Sequence, residues 1–88
     1  PTRIKTSGST FKNPISQTDK KVWELIKESG CQQLTQGDAM ISKKHCNFFV
    51  NNGNAKSADI EKLINKVKEI VREKAGVNLE LEIKIVGE

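Results

Sequence analysis

Three short stretches of the chain combine turn-forming backbone with side chains able to do chemistry. The first is Ser7-Gly8-Ser9-Thr10-Phe11-Lys12-Asn13-Pro14, where hydroxyls, a lysine and a carboxamide crowd onto a run of turn formers. A hydroxyl such as Ser9 can give or take a proton, but no residue beside it in sequence serves as a base. In an arbitrary protein such a serine more often bonds back to its own turn. The second stretch is Lys43-Lys44-His45-Cys46-Asn47, which holds the one histidine of the chain. His45 can exchange a proton near neutral pH or offer a neutral donor and acceptor, yet alone it decides nothing. The third is the polar face of the last segment, Glu80, Glu82 and Lys84. There Glu82 is an acid or a hydrogen-bonding group, and with Lys84 two positions on it also reads as an exposed ion pair of small value. On residue types alone all three stay unassigned.

The elements that must position them follow from periodicity. Residues 1–17 show no sustained period and read as a loop carrying the first stretch. Residues 18–30 place Val22, Leu25 and Ile26 at helical spacing, with Thr18 and Asp19 as cap candidates and Gly30 as the stop. Residues 31–44 contain a turn at Gly37-Asp38 and a candidate strand at Ala39-Met40-Ile41, and are otherwise irregular. The aromatic, β-branched run at 46–51 predicts a buried strand closed by Asn51-Asn52-Gly53-Asn54. Met40, Phe48 and Phe49 are expected in the core.

Residues 57–75 carry the strongest pattern. Ile60, Leu63, Ile64, Val67, Ile70 and Val71 stack on one helical face, with Ser57 as N-cap, Asp59 and Glu61 in the first turn, cations near the end and Gly76 beyond it. The period then changes to two: Val77, Leu79, Leu81, Ile83 and Ile85 alternate with polar residues, so 77–86 is predicted as a strand with one face in the core. The expected fold class is α+β, a single domain with two helices covering one face of a small sheet.

At 88 residues the chain has room for one core, which excludes a complete two-substrate redox enzyme. It lacks both a membrane-length apolar run and a secretory apolar region near its start, so no membrane partner is expected. Opening on Pro1 in a polar loop, it reads as a piece of a longer chain. The net charge of +4 permits an anionic partner, but thirteen of the fifteen cations are lysines interleaved with acids. A nucleic-acid site more usually gathers arginine and aromatics on one face. Cys31 and Cys46 with a single histidine do not make a four-ligand zinc set, so no metal is expected, and two reduced thiols are the default.

The order of the segments adds what residue types do not. The Ser7-to-Pro14 run, Trp23-Glu24-Leu25-Ile26 through Gly30-Cys31, Gly37-Asp38-Ala39-Met40-Ile41-Ser42-Lys43-Lys44-His45-Cys46-Asn47-Phe48, Asn54-Ala55, and the terminal Leu79-Glu80-Leu81-Glu82-Ile83-Lys84-Ile85-Val86-Gly87-Glu88 together resemble the C-terminal domain of UDP-N-acetylenolpyruvoylglucosamine reductase over essentially the whole chain. The resemblance implies a bacterial cytoplasmic enzyme of peptidoglycan synthesis, UDP-N-acetylmuramate dehydrogenase. FAD and NADPH would belong to upstream FAD-binding domains, and this piece alone would bind neither and be inactive. The substrate implied is UDP-N-acetylglucosamine enolpyruvate. By the same resemblance Ser9 protonates the carbon next to the substrate carboxylate and Glu82 stabilises the enolic intermediate, while Lys12, Asn13, His45 and Lys84 contact substrate.

That division of labour is chemically coherent. An enolate carbon is basic enough for a weakly acidic hydroxyl to protonate it, provided the two are held within roughly 3 Å. Glu82 would have to donate a hydrogen bond to the substrate carboxylate, which a closed, partly desolvated site favours. Gly8 would let the loop backbone approach the ligand. The chain departs from the family pattern at Lys84, where many relatives have arginine and its bidentate fork. Gly37-Asp38 replaces a common Gly-Gly pair, and Leu81 stands where proline is frequent. The alternative is a small basic nucleic-acid-binding or interaction module without enzymatic role, which accounts for the charge but not for the motif order.

Overall fold

In a computed structural model of the chain, residues 3–4, 10–42, 45–51, 53–82 and 85–86 are described. The sequence elements run β1 (Arg3–Ile4), α1 (Val22–Glu28), a 3₁₀ turn (Cys31–Gln33), β2 (Thr35–Gln36), β3 (Ala39–Ile41), β4 (Phe49–Asn51), α2 (Ser57–Ala75) and β5 (Ile85–Val86). β2, β3 and β4 form an antiparallel sheet in that order, and β1 pairs with β5 in a second antiparallel ladder. α2 packs on β2 and β3, and α1 lies against α2. This is the α+β arrangement expected from the sequence.

α2 forms because one stripe of its surface is apolar. Ile60, Leu63, Ile64, Val67 and Val71 are buried, whereas Ile70 at the edge of the stripe is only half-buried. Its start differs from the sequence reading. Lys56 is the N-cap, its N–H donating to Asp59 Oδ2 at 3.1 Å, and Ser57 is already helical. It ends at Gly76, whose φ of +68° lets its N–H return to the Arg72 carbonyl at 3.0 Å.

α1 is shorter than residues 18–30. Gln17 and Thr18 donate their N–H groups to the Pro14 carbonyl in a separate turn, so neither Thr18 nor Asp19 caps the helix. Lys21 does, with its N–H on Glu24 Oε1 at 3.0 Å. Residues 31–44 are more regular than expected: Gly37-Asp38 is the two-residue turn of a β2–β3 hairpin pairing Gln36 with Ala39, and Gly37 takes φ +58° there. The strand predicted at 46–51 begins only at Phe49, because Phe48 N–H bonds the His45 carbonyl and Cys46-Asn47 form a turn. β1 also lies inside the stretch 1–17 that the sequence reads as loop.

The predicted strand 77–86 is regular only in part. Val77 and Leu79 are buried and Asn78 and Glu80 exposed, which is the expected alternation. Asn78, however, pairs with a side chain, its N–H on Gln17 Oε1 at 2.8 Å and its carbonyl accepting from Gln17 Nε2 at 2.9 Å. Backbone pairing starts at the Phe11↔Leu81 bridge. Phe11 is the centre of this junction: it is 1% exposed and meets Phe49 edge-on, with ring centroids 5.7 Å apart and planes at 83°.

Candidate functional site

The segment after Ser9 is tied to the strand that carries Glu82. Glu82 N–H donates to the Thr10 carbonyl at 2.9 Å and Lys12 N–H donates to the Glu80 carbonyl at 2.8 Å, flanking the Phe11↔Leu81 bridge on both sides. Thr10 therefore stands across from Glu82 on neighbouring strands. Ser9 and Lys84 lie outside the described residues, as do Gly8 and Ile83. The ladders on either side of this interval are out of step. Six residues separate Ile4 from Phe11 but three separate Leu81 from Ile85, so the β1–β5 and Phe11↔Leu81 pairings cannot be one continuous register.

The remaining sequence candidates divide between two clefts. Lys12 and Asn13 line one of about 250 Å³ together with Ile15, Asn78 and Glu80, in which Ile15 is 87% exposed. Asn13 is also structural, since its Oδ1 accepts the N–H of Val22, the first residue of α1, at 3.0 Å. Asn13→Ala strands that N–H and is expected to cost about 1 kcal/mol of stability in thermal denaturation, whereas Asn13→Asp keeps the acceptor and most of the stability. Equal losses for the two variants would contradict the capping role.

His45 lines the other cleft, of about 410 Å³, with Trp23, Lys27, Gln32, Asn47 and Phe48. Its ring leans on Phe48 at a centroid distance of 5.1 Å and an interplanar angle of 39°. Phe48 is thus a partly exposed wall of this cleft and not a core residue, and Met40 is likewise only half-buried; Phe49 alone of the three is fully packed. Trp23, 49% exposed on α1, enters the sequence reading only as part of the Trp23-Glu24-Leu25-Ile26 motif. Lys12 and Asn13 are not brought into the cleft of His45. What links the two regions is Asn47, which lines the His45 cleft and bonds the backbone of Phe11.

Both cysteines carry free, buried thiols. Burial pushes the Cys31 thiol up, an effect that the charge of Lys74 partly offsets. Cys46 accepts a hydrogen bond from Gln32 Nε2. Among the described residues no group of three or more histidines, cysteines or acids is placed to hold a metal ion, and no helix is long and apolar enough to cross a membrane.

Comparison with known proteins bears on the same features. The family described as UDP-N-acetylenolpyruvoylglucosamine reductase, C-terminal domain, matches residues 1–86. The chain belongs to this family. Among similar proteins, the UDP-N-acetylenolpyruvoylglucosamine reductase of Pelagibacter ubique is 63% identical over 86 residues, covering 98% of this chain and 28% of that protein. That of Wolbachia pipientis from Culex pipiens is 52% identical over 87 residues, covering 99% and 29%. The crystal structure of UDP-N-acetylenolpyruvylglucosamine reductase from Thermus caldophilus superimposes with a TM-score of 0.65 at 41% identity, covering 93% of this chain and 28% of that one. This member of the reductase C-terminal domain family thus spans just over a quarter of the length of the relatives it matches.

Proposed function

We propose that the chain is the substrate-covering C-terminal domain of an FAD-dependent, NADPH-using reductase that converts UDP-N-acetylglucosamine enolpyruvate to UDP-N-acetylmuramate for peptidoglycan synthesis in the bacterial cytoplasm. The observation that carries this reading is the hydrogen bond between Glu82 N–H and the Thr10 carbonyl, which sets the residue after Ser9 against the strand of the second acid. By the family resemblance FAD and NADPH are assigned to upstream domains of the same protein, where the flavin would supply the hydride.

This chain's own residues handle the charge and the proton. Once the enolpyruvyl double bond has accepted hydride at its terminal carbon, negative charge collects on the α-carbon and the carboxylate oxygens. Ser9 Oγ–H protonates the α-carbon, and the Glu82 carboxyl group, donating a hydrogen bond to the substrate carboxylate, stabilises the charge while it lasts. Lys12, Asn13, His45 and Lys84 hold the sugar nucleotide. Glu82 is exposed in this chain and Leu81 beside it is 38% exposed. Contact with the rest of the protein would cover both and give the desolvated surroundings in which such a donor works.

The test uses the intact protein. A yellow preparation whose NADPH oxidation depends on UDP-N-acetylglucosamine enolpyruvate is the expected result, and a colourless protein without substrate-dependent turnover would refute the reading. Within that enzyme Glu82→Gln, which keeps an N–H donor, is expected to retain at least about tenfold more activity than Glu82→Ala, whose loss should approach 10²–10³-fold. Indistinguishable losses in steady-state turnover would rule out hydrogen-bond donation. The nucleic-acid alternative gains nothing from Phe49, which is 1% exposed and packed on Phe11, and it leaves the motif order unexplained.

A further inference from the structure

Resting on the assignment of Ser9 as proton donor, we infer that Asn47 is the residue that positions it. The backbone of Phe11 explains why one is needed. In an antiparallel pair, residues that do not exchange hydrogen bonds with each other point their N–H and C=O away from the partner strand. Phe11 and Leu81 are such a pair, since the flanking bonds run from Glu82 to Thr10 and from Lys12 to Glu80. Both polar backbone groups of the buried Phe11 therefore face the opposite side, where no strand among the described residues is paired with it, and leaving them unbonded would be costly.

The Asn47 carboxamide fills that side. Its Oδ1 accepts from Phe11 N–H at 3.0 Å and its Nδ2 donates to the Phe11 carbonyl at 2.9 Å, so a side chain thirty-six positions away does the work of a third strand. The partners fix the orientation of the amide, because an N–H needs the oxygen and a C=O needs the nitrogen. The Asn47 carbonyl acts one residue earlier still, accepting from Thr10 N–H at 2.7 Å. That N–H would otherwise be the one to continue the ladder, toward the Glu82 carbonyl. Asn47 thus takes the chain over from the ladder at Thr10, the residue that follows Ser9.

Asn47 can do this because its own backbone is held. It sits in a turn closed by Phe48 N–H on the His45 carbonyl at 2.9 Å, with Ser42 N–H at the end of β3 on the Phe48 carbonyl at 2.7 Å and His45 N–H on Ser42 Oγ at 3.2 Å. The sheet, the turn and the stretch that follows Ser9 are thereby connected through Asn47. Aspartate would keep the acceptor but turn a second oxygen toward the Phe11 carbonyl, and leucine would offer neither group.

The experiment is a double-mutant cycle in the intact enzyme, reading flavin reduction by NADPH and flavin reoxidation by UDP-N-acetylglucosamine enolpyruvate separately. Asn47→Leu is expected to leave flavin reduction unchanged and slow reoxidation by about 10²-fold, the scale of an ångström-sized misplacement of a reacting group. In the Ser9→Ala background the same substitution should cost less than about threefold, because the group it positions is gone. Equal losses in both backgrounds would overturn the positioning role while leaving Ser9 as donor. A Ser9→Ala enzyme that reduces substrate at the normal rate would overturn the donor assignment itself, and the positioning role with it. Should Asn47→Leu fail to accumulate as folded protein, Asn47→Asp carries the cycle with the same outcomes.

Discussion

Ser9→Ala in the intact reductase is expected to leave flavin reduction by NADPH within about twofold of normal and to slow flavin reoxidation by the enolpyruvyl substrate by about 10²–10⁴-fold. The asymmetry follows from where the proton is needed. On the proposed function NADPH would reduce a flavin held upstream without calling on the Ser9 hydroxyl, whereas protonation at the α-carbon requires a donor placed within about 3 Å of it. Alanine removes the donor and leaves Gly8 and Thr10 untouched, so the Thr10 and Phe11 hydrogen bonds that hold the segment should survive. Stopped-flow absorbance of the flavin resolves the two half-reactions. Equal slowing of both would mean that the substitution disturbs the assembly of the domains, and the donor role would fall.

How much of this was legible beforehand depended on the range of the interaction that decides each feature. α2 was legible except for its N-cap, because its apolar stripe and Gly76 are local signals spread over five turns. The β2–β3 hairpin was legible in part: the Gly37-Asp38 turn and the strand Ala39–Ile41 were expected and are found, but Thr35-Gln36 is two residues long and polar on both faces, too short for a period to show. Thr18 looks like a helix cap, yet the turn closed on the Pro14 carbonyl absorbs its N–H and delays the helix to Val22. The alternation from Val77 is real, but a ladder needs a partner, and Gln17 supplies only a side chain opposite Asn78.

The site divides along the same line. Ser9 and Glu82 were named because of the order of motifs that resemble a known family; a serine in a turn and a glutamate in a strand carry no such information alone. Asn47 was part of a quoted motif and received no role. Its role exists only once residues 11 and 47 are adjacent, and nothing in local composition reports a contact across thirty-six positions. Asn13 shows the converse, a residue singled out for ligand contact that also supplies the acceptor for the first N–H of α1.

The same junction sets the second large effect, on stability. Phe11 is the one aromatic core residue contributed by the stretch ahead of α1, and it closes the core against Phe49. Phe11→Ala keeps the backbone groups that bond Asn47 and bridge to Leu81 but removes the ring, and a cavity of that kind costs about 3–5 kcal/mol. A domain of 88 residues has a total stability of only about 4–13 kcal/mol, so much of the margin would go. Amide hydrogen exchange in the intact protein reads this locally: the most protected amides of α2, around Val67, should exchange about 10²–10⁴-fold faster. Phe11→Leu, which leaves a smaller void, should show a clearly smaller acceleration. Unchanged α2 protection in Phe11→Ala would mean that the motif segment folds onto the domain without stabilising it. In that case the placement of Ser9 would depend on hydrogen bonds alone, and Asn47 substitutions would then have the larger effect on both structure and turnover.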